Sequence, residues 1–140
     1  MTAHPLFLLA EDNRDDAELT RVALEEAAPS VSLRWVRDGE ECLEYLRAGN
    51  PIPDLILLDL NMPRMDGREA LREIKGNDAW RHIPVVILTT SDAETDVVDS
   101  YQHHANAYMV KPITIDDLIE IMSQLSTFWL NSFLRRPHTT

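Results

Sequence analysis

The residues Asp54-Leu55-Ile56-Leu57-Leu58-Asp59-Leu60-Asn61-Met62-Pro63-Arg64-Met65-Asp66-Gly67 place one carboxylate directly behind an unbroken apolar run. A run that short, bounded by Pro53 and Pro63, reads as a strand covered on both faces, as in the middle of a parallel sheet. Asp59 then stands at the strand's carboxyl end. Open α/β sheets bind their ligands beyond those ends, so a lone acid there is placed for chemistry rather than packing. The bland alternative is a solvated acid at a strand end, and partners from other strands weigh against it.

The chain is built from the same unit throughout. Leu6 to Ala10 is a second apolar run, and it breaks into Glu11-Asp12-Asn13-Arg14-Asp15-Asp16 where a strand gives way to a helix. From Asp15 to Ala28, Thr20, Ala23, Leu24 and Ala27 share a helical face, closed by Pro29. Val31, Leu33 and Trp35 alternate with polar residues as a second strand, and Asp38-Gly39 opens a helix with Cys42, Leu43 and Leu46 inward, ending at Gly49. The Asp59 strand is followed by a helix capped near Asp66, with Ala70, Leu71 and Ile74 inward and Gly76 as its stop. Ile83 to Leu88 is a fourth buried strand ending in Thr89-Thr90, and Ser91-Asp92-Ala93-Glu94 reads as a capping box for the next helix. Ala107 to Val110 forms the fifth strand, before Lys111-Pro112. Thr114 caps a last helix running to about Leu134.

Right-handed crossovers wind five such units into a doubly wound parallel sheet, for which the order 2-1-3-4-5 is expected. That order reverses direction between the first and third strands, so Glu11, Asp12 and Asp59 converge there. A chain of 140 residues, 44% of them hydrophobic, is long enough for one core. One domain over residues 1–140 is expected, with its core at about 6–125 and a helical extension and tail over 126–140. The net charge of −11 repels a phosphate backbone, so no nucleic-acid partner is expected. No apolar stretch approaches the roughly 20 residues that span a bilayer, so no membrane partner and a cytoplasmic location are expected. Cys42 is the sole cysteine, which excludes an intrachain disulfide and a thiolate metal site. His103 and His104 are adjacent and point about 100° apart on a helix, so they cannot share a metal.

Glu11-Asp12, Asp59 with Met62-Pro63 and Asp66-Gly67, Thr89 and Lys111-Pro112 each follow a predicted strand. In that arrangement the chain resembles the receiver domain of two-component response regulators, from Leu6 to about Leu125, with a flavodoxin-like fold. The ending Ser126-Thr127-Phe128-Trp129-Leu130 is similar to that of single-domain regulators paired with bacterial phytochromes. Three neighbouring carboxylates call for a cation, and a sparse oxygen set suits Mg²⁺. The resemblance implies that Asp12 and Asp59 ligate the ion, Asn61 offers its backbone carbonyl and Glu11 acts through water. It further implies that Asp59 accepts a phosphoryl group from a sensor histidine kinase, here a bacteriophytochrome, with Lys111 and Thr89 contacting that group. Thr89 and Tyr108 resemble the family's switch pair, against plain roles as a capping hydroxyl and a half-buried aromatic. Thr90 departs from the smaller residue common at its site, which would narrow access to the phosphoryl group.

An output through protein contacts is expected, and catalysis on a separate substrate is not. The rival reading is an aspartyl-phosphate phosphatase, but such enzymes carry a second Asp two residues after the nucleophile, where this chain has Asn61, and place the pair on their first strand. A third reading is an interaction module that ignores phosphorylation. The last helix adds one expectation, since its apolar arc spans roughly 240° where a surface helix needs a little over 100°. Leu118, Met122, Leu125 and Trp129 form the core stripe, and a homodimer packing Phe128, Leu130 and Phe133 across a two-fold axis would cover the remainder. The bland reading of that excess is a helix end folded back over its own core.

Overall fold

The structure is a computed structural model that describes the backbone of residues 4–135 and the side chains of residues 4–129. Strands and helices alternate as β1 (Leu6–Ala10), α1 (Arg14–Ala27), β2 (Ser32–Val36), α2 (Gly39–Arg47), β3 (Leu55–Leu58), α3 (Gly67–Lys75), β4 (Val85–Thr89), α4 (Glu94–Gln102), β5 (Ala107–Val110) and α5 (Ile115–Arg135). The sheet is parallel throughout and ordered β2-β1-β3-β4-β5, as the sequence leads one to expect.

The three central strands are buried along almost their whole length, because each is covered on both faces. The period of two divides their side chains between two cores. Phe7, Leu9, Leu55, Leu57, Val86 and Leu88 face Ala23 and Leu24 of α1 and Leu118, Met122 and Leu125 of α5. Leu8, Ala10, Ile56, Leu58, Val85 and Ile87 face Cys42, Leu43 and Leu46 of α2 and Ala70, Leu71 and Ile74 of α3. Burial pushes the Cys42 thiol up to about 12, which leaves it an inert packing residue.

Asn13, Asp38 and Asp66 cap α1, α2 and α3 by accepting the backbone N–H of Asp16, Glu41 and Glu69. The capping box expected for α4 does not form. Its N-cap is Ala93, with no side-chain bond. Ser91 Oγ accepts the Ala93 N–H at 3.3 Å and donates to Asp96 at 2.6 Å, so the pull of Asp96, itself bonded to Arg68, replaces the box. The fourth strand starts at Val85 rather than Ile83, because Pro84 has no N–H and that of Ile83 closes a turn onto the Trp80 carbonyl.

On α5, Leu118, Met122 and Leu125 are buried and Trp129 is half-buried, matching the expected stripe. Ser126, not expected inside, is buried beside them. Phe128 is 61% exposed and stacks edge-on against Trp129. The side chains of Leu130 and Phe133 lie outside the described residues.

Candidate functional site

Backbone pairing sets the first part of the site. The Asp59 N–H donates to the Ala10 carbonyl at 3.1 Å, carrying the ladder one step beyond the Leu58–Ala10 pair and bringing Asp59 alongside Glu11. Glu11 is fixed in turn by its own N–H to the Val36 carbonyl at 3.0 Å and by the Trp35 indole, which donates to its carbonyl at 2.6 Å. Carboxylate oxygens of Glu11, Asp12 and Asp59 lie within 4.8 Å of one another, with Glu11 and Asp59 buried and Asp12 exposed. Burial pushes the Glu11 carboxyl up to about 7 and the charge of Asp59 adds to it, against the pull of Lys111 and the Asn13 N–H.

Lys111 enters from β5, where its N–H donates to the Thr89 carbonyl at 2.7 Å. Its Nζ lies 2.6 Å from Glu11 Oε1, 2.9 Å from Asp16 Oδ2 and 3.2 Å from Asp59 Oδ2. Burial works to lower the Lys111 pKa, but hydrogen bonds to Glu11 and Asp16 prevail and hold it above its ordinary value. The sequence gives Asp16 only as an acid at a helix start; nothing local signals its bond to Lys111.

Among the described residues, Lys111 pairs with three carboxylates and Asp12 adds a fourth beside Glu11 and Asp59, which leaves the site short of positive charge. Hard oxygen donors this close together fit a hard divalent cation. The Asn61 N–H donates to Asp59 Oδ1 at 3.3 Å, so the turn after β3 folds back on the acid and brings the Asn61 backbone to the same place. Gly67 makes that turn possible. Its N–H bonds the Leu60 carbonyl at 2.9 Å, and a Cβ there would lie 2.0 Å from the Asp59 carbonyl oxygen.

Thr89 is fully buried at the end of β4, and Tyr108 is half-buried on the neighbouring β5. The Tyr108 hydroxyl donates to the Ser91 carbonyl at 2.9 Å, so its ring is turned inward. Ser91 is linked through Asp96 to Arg68, whose Nη1 also reaches the Leu60 carbonyl and Asn61 Oδ1 at 3.5 Å. A polar chain therefore joins the turn after Asp59 to Tyr108, a link that sequence reading misses because each member is ordinary in its own segment. Thr90 is exposed and borders a hollow of about 220 Å³ with Asp16 and Lys111. His103 sits at the end of α4, where Arg72 Nε donates to its Nε2 at 3.2 Å.

The response regulator receiver domain family matches residues 7–123. The chain belongs to this family. Receiver domains accept phosphoryl groups, bind a divalent metal and interact with histidine kinases. FilR2 of Methanothrix harundinacea, described as a probable methanogenesis regulatory protein, is 39% identical over 129 residues, which is 89% of this chain and 83% of FilR2. Response regulator Rcp1 of Synechocystis sp. is 40% identical over 132 residues, 91% of this chain and 90% of Rcp1. Among solved structures, the phosphorylated cyanobacterial phytochrome response regulator RcpA superposes with a TM-score of 0.87 at 42% identity, covering 93% of this chain and 96% of RcpA. Mn²⁺-bound Rcp1 gives 0.83 at 38% identity, covering 97% and 99%. The bacteriophytochrome response regulator AtBRR gives 0.75 at 40%, covering 91% and 96%. This receiver domain is thus related to the response regulators of phytochromes. Among the described residues no helix is long and apolar enough to cross a membrane.

Proposed function

We propose that Asp59 accepts a phosphoryl group from a sensor histidine kinase and that the protein signals through contacts controlled by that modification. The observation that carries this reading is the Asp59 carboxylate, set within 4.8 Å of two other acids and 3.2 Å from the Lys111 ammonium. An Asp59 oxygen attacks phosphorus; the P–O bond forms as the P–N bond to the donor imidazole breaks, and the imidazole leaves with that electron pair. Lys111 neutralises charge on the incoming oxygens, and the Thr89 hydroxyl donates to one of them. Asp12 and Asp59, the Asn61 carbonyl and, through water, Glu11 would hold Mg²⁺. When bound, that ion neutralises the carboxylates and the phosphoryl oxygens. Movement of Thr89 toward the phosphoryl group would free space for Tyr108 and reshape the face made by α4, β5 and α5.

The kinase is read as a bacteriophytochrome, supported by the phytochrome regulators among the relatives. A homodimer through α4, β5 and α5 is read from the exposed Val98, Tyr101, Val110 and Phe128 on that side, with Leu130 and Phe133 continuing the apolar sequence. The deciding experiment is phosphotransfer from a labelled bacteriophytochrome kinase and from an unrelated histidine kinase, with Mg²⁺ and in excess EDTA. Rapid labelling by the first kinase alone, lost in EDTA and in a folded Asp59→Asn protein, is expected. Undiminished labelling of Asp59→Asn defeats the phosphoacceptor assignment, and equal transfer from both kinases defeats the pairing.

A further inference from the structure

Lys111 is held by three carboxylates, and one stands apart from the acid cluster. Asp16 lies in the first turn of α1, 95 residues from Lys111 in sequence, yet its Oδ2 is nearer the ammonium than that of Asp59, 2.9 Å against 3.2 Å. Its side chain bonds no other group among the described residues. The ammonium donates hydrogen bonds to Asp16 and Asp59, and Glu11 Oε1 lies against it as an ion pair at 2.6 Å. Glu11 and Asp59 also belong to the set of oxygens close enough to share a metal ion, and Asp16 does not. A dication among those oxygens attracts two of the ammonium's three partners and repels the ammonium itself. Asp16 is the partner it leaves alone.

We infer that Asp16 is a positioning residue that retains the Lys111 ammonium beside Asp59 once a divalent cation engages Glu11, Asp12 and Asp59. The inference rests on the proposed phosphoacceptor site and adds to it the group that keeps two positive charges in one small space. Without the Asp16 charge, Lys111 falls back on Glu11 and Asp59 and competes with the cation for them. Both cation binding and phosphoryl uptake then suffer through Lys111.

Mg²⁺ titration of the full chain tests this, read by tryptophan fluorescence and by calorimetry. Trp35 donates to the Glu11 carbonyl and so reports on the site. Wild type, Asp16→Asn, Lys111→Met and the double variant form the cycle, with folding checked by circular dichroism and Lys111→Gln used in place of an unfolded Lys111→Met. Asp16→Asn should weaken Mg²⁺ binding about five- to tenfold with Lys111 present and less than about twofold without it, a coupling within the range for contacting charges. Asp16→Glu should recover most of the loss. At saturating Mg²⁺, Asp16→Asn should also take up phosphoryl from acetyl phosphate several-fold more slowly, by the general scale of one misplaced charge. No loss in Asp16→Asn, or an equal loss with and without Lys111, overturns the inference while leaving the phosphoacceptor reading intact. A wild-type protein that binds no Mg²⁺ by either readout overturns both.

Discussion

A methyl group at position 67 would lie 2.0 Å from the Asp59 carbonyl oxygen, too close for any rotamer change to relieve, since the clash is with backbone. Gly67→Ala must therefore push α3 or the Asp59 turn aside. The expected cost is about 1–3 kcal/mol, the range for overpacking a tight contact, read from urea denaturation, together with slower phosphoryl uptake by Asp59. An unchanged midpoint and uptake rate would show that the turn has slack. Asp38 offers a second test. Burial works to raise its pKa, but the hydrogen bond from Arg64 and the Glu41 N–H prevail and hold it below the ordinary carboxylate value. A depressed folded pKa contributes stability that is present above the unfolded pKa of about 3.9 and lost as pH falls through the folded value. Asp38→Asn should therefore lose less stability than wild type between about pH 5 and pH 2. Parallel acid profiles for the two proteins would show that Asp38 contributes no pH-dependent stability.

Among the helices, α4 is the least anchored. Its N-cap has no side-chain bond and Ser100 is its one buried residue, whereas α3 is capped by Asp66 and buries Gly67, Ala70, Leu71 and Ile74. What fixes α4 is polar: Arg68 to Asp96 at 2.9 Å and Arg72 to Asp99 at 3.3 Å. Few buried apolar contacts mean a low free energy of local opening, which suits the element expected to move in signalling. Amide hydrogen exchange should be faster in α4 than in α3, and Asp96→Asn should speed α4 further without changing α3. Equal protection of the two helices would place the flexible element elsewhere.

For the whole molecule, the question is what covers the apolar surface left on α5. Leu118, Met122 and Leu125 complete the core shared with α1, while Phe128 remains largely exposed. Light scattering at tens of micromolar should show a dimer for the full chain and a monomer for a chain ended after Leu125 that still takes up phosphoryl. A monomeric full chain, or a truncated chain that dimerises equally well, would count against the dimer face.

The inward faces of α1, α2, α3 and α5 were legible in the sequence because they follow from short-range periodicity, which a local window exposes, whereas the order 2-1-3-4-5 was expected as the simplest winding that right-handed connection allows. The convergence of Glu11, Asp12 and Asp59 followed from the same rule, since their strands lie side by side. The start of α4 was not legible: Ser91 had a capping pattern, yet the helix begins behind Ala93 and the Ser91 hydroxyl donates to Asp96, itself held by Arg68 from another helix. Likewise, Asp16 read as one of several acids at a helix start, and the inward turn of Tyr108 depended on a carbonyl 17 residues away. Sequence by itself determined which residues form each strand and helix and which face each one buries, because hydrophobic period is a local property. Tertiary structure alone decided which polar side chain bonds which, because such bonds depend on ångström distances between segments that share no local pattern.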